Sequence, residues 1–197
     1  GKNFKWIRGG ELLKYIEENT EEIKKPTAEK GAVKELDIFP EYLRHILSFV
    51  DISKFKPLKV VIDAGNGMAG KVIPLLFKNL PFEVVPLFFE LDGNFPNHPS
   101  NPLEPASQIA VTKKVREENA DCGVIIDGDT DRLFFIDKSG MFIRADMTLL
   151  LLAEEMLKKY PGGGVAYNLI CSKAVPEWIA KMGGKPLRSA VGFVNVA

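Results

Sequence analysis

The chain has 197 residues, 46% hydrophobic and 26% charged, enough to bury a core as one large domain or one and a half ordinary ones. Its 26 Lys and Arg balance 26 Asp and Glu, and no basic block or aromatic-studded basic stripe occurs, which argues against nucleic acid as a partner. No apolar run approaches the roughly 18 residues of a membrane span and no signal pattern opens the chain, so no membrane partner is expected, although residue 1 is Gly rather than Met.

In chain order, a short strand-like "NFKWI" precedes "ELLKYIEENTEEIKK", Glu11 to Lys25, where Leu12, Ile16 and Ile23 have helical spacing. A second helix is expected over Pro40 to Val50. Strands and helices then alternate. "LKVVIDA" reads as a buried strand, "GKVIPLLFKNL" as a helix and "FEVVPLFF" as a second strand. A Pro- and Asn-rich loop from Asp92 to Pro105 leads to a helix over about Ala106 to Asn119, the strand "CGVIID" and a hairpin-like "RLFFIDKSGMFI". This alternation predicts an α/β layer with a mixed, largely parallel sheet. A helix over Asp146 to Lys159, the strand "GGGVAYNLI", the helix "AVPEWIAKM" and a strand-like "VGFVNVA" make a second α/β unit. Cys122 and Cys171 have no metal-ligand spacing, which reads as reduced thiols in a cytoplasmic setting.

The chemistry concentrates in "GVIIDGDTDRLFFID", where Asp127, Asp129 and Asp131 follow a buried strand at intervals of two. Residues two apart in an extended segment point the same way, so the three carboxylates should converge. Held together they repel unless a cation joins them or their pKa values rise. Oxygen-only ligation suits Mg²⁺, and the alternative is a solvated acidic turn without metal. An EF-hand starting at Asp127 fails, because Arg132 and Lys138 stand where Gly and Glu are needed. A haloacid-dehalogenase-type phosphatase also ends a strand in Asp-x-Asp, and although Asp131 occupies the place of its Thr or Val, it stands as the enzymatic alternative.

Upstream, "GNGMAG", Gly65 to Gly70, fits the G-x-G-x-x-G of a dinucleotide fold, with Glu90 twenty residues after Gly70. The glycines have an equal structural explanation, a tight strand-to-helix turn whose amides cap the helix and attract an anion. In "FPNHPS", His98 is read as a surface or loop-packing residue and Asn94 and Asn97 as bonding their own loop backbone.

Four pieces, "VVIDAGNGMAG", "LDGNFPNHPSNPLEP", "DGDTDR" and "YNLICSKAVPEWI", resemble in order and spacing the motifs of the α-D-phosphohexomutases, which include phosphoglucomutase and phosphomannomutase. The resemblance implies transfer of phosphate between the 1- and 6-positions of a hexose through a phosphoserine and a hexose bisphosphate. It implies Mg²⁺ on Asp127, Asp129 and Asp131, and Arg132 supporting the phosphoryl group, against the plainer role of an ion pair with a neighbouring Asp. Gly192 and Phe193 match a loop that approaches the sugar, where His often stands at the position of Phe193. Lys173 matches a basic position of the third-domain motif, while Ile170 stands where some relatives carry a cleft Lys.

The family's Ser-His-Asn-Pro serine loop does not occur in these residues, nor do its later sugar- and phosphate-recognition loops. The resemblance therefore divides the chain into a first-domain remnant (1–30), a complete second domain with the metal loop (31–137) and an incomplete third (138–197). Such a chain is expected to be inactive alone and to associate with the missing domains or form a homo-oligomer over its uncovered apolar surface. Its alternative is a non-catalytic binding or assembly module that kept the fold.

Overall fold

The computed structural model describes residues 9–25 and 31–192. The strands expected in "NFKWI" and over most of "VGFVNVA", and the site residue Phe193, lie outside the described residues. The chain divides into two compact units, Gly1–Pro40 and Glu41–Ala197.

In the first unit the single helix expected over Glu11 to Lys25 is two helices, α1 (Gly9–Glu18) and α2 (Thr20–Ile23). The break falls at Asn19 and Thr20. Asn19 Nδ2 donates to the Tyr15 carbonyl at 2.8 Å and Thr20 Oγ1 to that of Ile16 at 2.7 Å, side-chain bonds that compete with the helical ladder. The apolar stripe of α1 buries no residue. Helix α3 (Phe39–Leu47) begins at the boundary, after Asp37 Oδ1 accepts from the Phe39 N–H.

The second unit is built on β1 (Leu58–Asp63), β2 (Phe82–Leu87), β3 (Cys122–Ile126), β4 (Leu133–Ile136) and β5 (Phe142–Ile143), in the order β2-β1-β3-β4-β5. Strands β2, β1 and β3 are parallel, and β4 and β5 complete the sheet antiparallel. Helix α4 (Ala69–Phe77) returns β1 to β2, and α5 (Pro105–Glu117) returns β2 to β3. Strand alternation explains the layers. Val60, Ile62 and Ala64 pack with Ile73 of α4 on one face, while Val61 packs with Val111 and Val115 of α5 on the other. Both faces are therefore apolar, and β1 and β3 read as unbroken hydrophobic runs. Gly123 in β3 lets α5 approach, since a Cβ there would lie 2.6 Å from Val115 Cγ2.

Helix α6 (Ala145–Lys159) follows, then β6 (Gly164–Asn168), α7 (Ala174–Lys181) and β7 (Lys185–Ser189), with β6 and β7 parallel in a separate two-stranded sheet. Ala153 and Leu157 of α6 and Val175 and Ile179 of α7 are buried. Strand β7, "KPLRS", was not expected from the sequence. Pro186 and the charges of Lys185 and Arg188 hide it, and its residues are almost all exposed.

Candidate metal and phosphate site

The three carboxylates meet at the end of β3. Ligand oxygens of Asp127, Asp129 and Asp131 all lie within 4.8 Å of one another, with Asp127 buried and the other two exposed. Convergence was expected, but its cause differs. Residues 127–132 are not extended; they form the turn of the β3–β4 hairpin, closed by the Asp127 N–H on the Arg132 carbonyl at 3.1 Å and the Thr130 N–H on the Asp127 carbonyl at 3.2 Å. Thr130 sits at φ 70°, a conformation β-branched residues rarely adopt, and its hydroxyl is buried without a hydrogen-bond partner. Strain of this kind persists where surrounding structure over-determines it.

Asp127 organises the turn. Its Oδ1 accepts from the Asp131 and Arg132 N–H groups, each at 3.0 Å, and its Oδ2 accepts from Arg132 Nε at 2.6 Å. Burial pushes this carboxyl up, and the Arg132 backbone N–H and guanidinium outweigh it, leaving Asp127 below the usual range. Its hydrogen bond with Asp127, and then the charge of Asp129, hold Asp131 above that range. Arg132 thus makes the ion pair that was its plainer expected role, while its side chain stays 52% exposed.

The donor set fits a hard divalent cation. Ionised carboxylates offer only oxygen acceptors, and Asp127 keeps lone-pair capacity beyond its three donors. A cation held between the three would draw their oxygens closer than 4.8 Å, a movement open to the two exposed side chains. The charge of Asp129, which adds to the hydrogen bond with Asp127 in raising Asp131, is a repulsion such a cation would relieve.

Two other loops brace this turn. Gly67 packs against Gly128, where a Cβ would lie 2.7 Å from the Gly128 Cα and carbonyl oxygen, and Met68 N–H donates to that carbonyl at 3.0 Å. On its other side Gly128 faces the Phe95 ring and Ser100 of the Pro-rich loop. The glycines of "GNGMAG" are therefore explained by close approach. The amides of Gly65, Asn66, Gly67, Met68 and Gly70 all donate to protein oxygens and so are engaged within the protein.

Asn97 corrects a second expectation, since its Nδ2 donates 2.7 Å to Asn66 Oδ1, 31 residues away, and not to its own loop. Asn94 bonds Asp92 Oδ1 by both backbone and side chain. His98 is a loop-packing residue but no surface one. Its side chain is 6% exposed, with Nε2 3.0 Å from Asp63 Oδ1 and Nδ1 2.8 Å from the Pro99 carbonyl. Asp63, at the end of β1, was missed; an acidic residue closing an apolar strand was the available signal.

Lys173 is not with the carboxylates. It lines a separate cavity of about 160 Å³ with Arg188, Ser172 and Asn168. Gly192 adopts φ 112°. A larger cavity, about 500 Å³, is lined by Phe134, Phe142, Arg144, Asp146, Ile170 and Cys171 and excludes the acidic turn. There the Arg144 guanidinium holds the Asp146 carboxyl below its usual range, and Asp146 Oδ2 also accepts from the Ser172 N–H at 3.2 Å, tying α6 to the β6–α7 turn. Among the described residues no helix is long and apolar enough to cross a membrane.

Residues 40–140 match the family model "Phosphoglucomutase/phosphomannomutase, alpha/beta/alpha domain II", and residues 144–197 match "alpha/beta/alpha domain III" of the same family. The chain is 47% identical over 155 residues to a protein named "Phosphohexose mutases" from Xanthomonas campestris pv. campestris, covering 79% of this chain and 35% of the relative. It is 37% identical over 193 residues to a phosphomannomutase/phosphoglucomutase of Pseudomonas aeruginosa, covering 96% of this chain and 41% of the relative. A crystal structure of a phosphoglucomutase/phosphomannomutase family protein from Burkholderia thailandensis superposes with a TM-score of 0.82 at 35% identity, over 94% of this chain and 40% of that one. The chain thus spans about two fifths of the length of these proteins.

Proposed function

Because the chain belongs to the phosphoglucomutase/phosphomannomutase family, we propose that it is the metal-carrying middle of a phosphohexomutase interconverting hexose 1-phosphate and hexose 6-phosphate. The observation that carries this is the meeting of Asp127, Asp129 and Asp131 oxygens within 4.8 Å on the braced turn. In this reading 1–30, 31–137 and 138–197 are parts of three domains of a longer enzyme, and the donor phosphoserine lies outside these residues.

Asp127, Asp129 and Asp131 would hold Mg²⁺, whose positive charge on the transferring phosphoryl oxygens is the chemistry it supplies when bound. Arg132, which lowers the Asp127 carboxyl, would bring its half-exposed guanidinium to the same phosphoryl group. Lys173, just before α7, and Gly192, after β7, would face the sugar phosphate, and Phe193 is proposed for the same role. The family match sets aside the haloacid-dehalogenase-type alternative.

A second reading, a non-catalytic binding module, is favoured by Ile170, apolar and 73% exposed where some relatives place a cleft Lys. Calorimetry should show Mg²⁺ binding by the chain and at least about a tenfold loss in Asp129→Ala. Adding the serine-loop and remaining C-terminal parts should restore turnover of glucose 1-phosphate or mannose 1-phosphate. Mg²⁺ binding without restored turnover would select the module; retained turnover in Asp129→Ala would sink the metal assignment.

A further inference from the structure

The acidic turn is braced by the Pro-rich loop, which is held by Asn97 on Asn66, by the buried Ser107 hydroxyl on the Pro99 carbonyl, and by His98. His98 places each ring nitrogen against an oxygen: Nδ1 is 2.8 Å from the Pro99 carbonyl and Nε2 is 3.0 Å from Asp63 Oδ1. A carbonyl only accepts, so Nδ1 carries a proton. An ionised Asp63 also only accepts, and against it Nε2 carries one too, which makes the ring an imidazolium. Asp63 is fully buried; its Oδ1 also accepts from the Gly65 N–H at 2.8 Å and its Oδ2 has no partner. A buried carboxylate with so few donors needs a counter-charge, and His98 supplies it.

Among the described residues around the ring, Phe88, leaving β2, meets it edge-on at 5.5 Å, Gly65 approaches from the β1–α4 turn, and Asp63 of β1 is the one charged group that shifts it. From the same loop Phe95 and Ser100 reach Gly128, between Asp127 and Asp129.

We propose that Asp63 and His98 form a buried carboxylate–imidazolium latch that seats the Pro-rich loop on the acidic turn and so sets the spacing of the three carboxylates. His98 and Asp63 are positioning residues, acting through Gly128 and not on a ligand. The hydrogen bond from Asp63 raises the His98 pKa despite its burial. A raised histidine contributes stability that is complete below its ordinary value of about 6.5 and is lost as pH rises through the raised value. The loop should accordingly be fully seated below about pH 6.5 and loosen as pH rises through the raised His98 value.

The test is NMR on the 197-residue chain. At neutral pH, nitrogen shifts should show both His98 ring nitrogens protonated, with His45 resolved by His45→Gln. Protection factors of the Met68 amide, bonded to Gly128, and of the Phe95 amide should fall at least about tenfold in His98→Gln and Asp63→Asn. A bare Nε2 at neutral pH, or unchanged protection in folded His98→Gln, would overturn the latch. Should the variants not fold, the same two amides in the unaltered chain must lose protection as pH rises through the His98 titration; a flat profile overturns it. Only the effect on the carboxylates rests on the metal reading, and Mg²⁺ calorimetry on the unaltered chain separates the two. Absent Mg²⁺ binding with a doubly protonated ring sinks the metal reading and supports the latch. Normal Mg²⁺ affinity in His98→Gln with lost protection overturns the coupling to the carboxylates.

Discussion

The two sheets of the second unit are built on different terms. In the five-stranded sheet, β1 and β3 are covered by α4 on one side and α5 on the other, and Val61 and Ile125 are 0% exposed. In the two-stranded sheet, β7 is exposed along nearly its whole length, and burial is confined to the α6–α7 contact. The site candidates follow this division. The carboxylates and their brace sit on the covered sheet, where neighbours fix them, while Lys173 and Gly192 belong to the sparsely buried one. Precision in the first comes from packing that the second lacks.

The largest break in that contrast should come from Gly70→Ala. A Cβ at Gly70 would collide with the Phe89 backbone carbonyl, which cannot rotate away. Urea unfolding should report a loss of about 3 kcal/mol or more from the five-stranded sheet, and a loss under about 1 kcal/mol would show the turn is softer than drawn. Next, Ile62→Ala, at a residue 1% exposed, should cost about 2–5 kcal/mol, whereas Leu187→Ala in β7, 53% exposed, should cost under about 0.5 kcal/mol. Equal losses would erase the distinction between the sheets; two separate unfolding transitions would sharpen it.

The smallest effect is electrostatic. Lys114 and Lys59 hold Glu118, at the end of α5, down at about 2 from an ordinary 4.5. A depressed carboxylate contributes stability that is complete above its ordinary value and lost as pH falls through the lowered one. Stability measured by urea at stepped pH should therefore decline between about 4.5 and about 2, and Glu118→Gln should flatten that limb. An identical acid limb in the variant would assign the decline elsewhere.

Most of the covered sheet was legible because its signals are local and redundant. Apolar runs such as "LKVVIDA" and "CGVIID", bounded by turn residues and rich in Val and Ile, read as buried strands, and spaced Asp after one of them point to the candidate site. What escaped depends on partners distant in sequence. Asn97 looks like an ordinary loop residue until Asn66 is beside it, and His98 looks exposed until Asp63 is. The glycines of "GNGMAG" carry no mark distinguishing a phosphate cradle from close approach to Gly128. Strand β7 was invisible for the opposite reason: little is buried there, so no apolar pattern was needed. The carboxylate convergence was foreseen on an argument about extended chains, yet the turn achieves it through a strained Thr130.

The bracing of the acidic turn also implies an order of assembly. Asn97 meets Asn66 across 31 residues, and the Lys59 N–H meets Asp121 Oδ2 across 62. Contacts of that separation carry the loop-closure entropy of everything between them, so they form after the local helices and hairpin. The β3–β4 hairpin can close early on its own, but Gly67 and Phe95 reach Gly128 only once β1 and β2 have docked beside β3. The carboxylates accordingly take their final spacing last, and pulse-labelled exchange should find the Met68 amide among the slowest to gain protection.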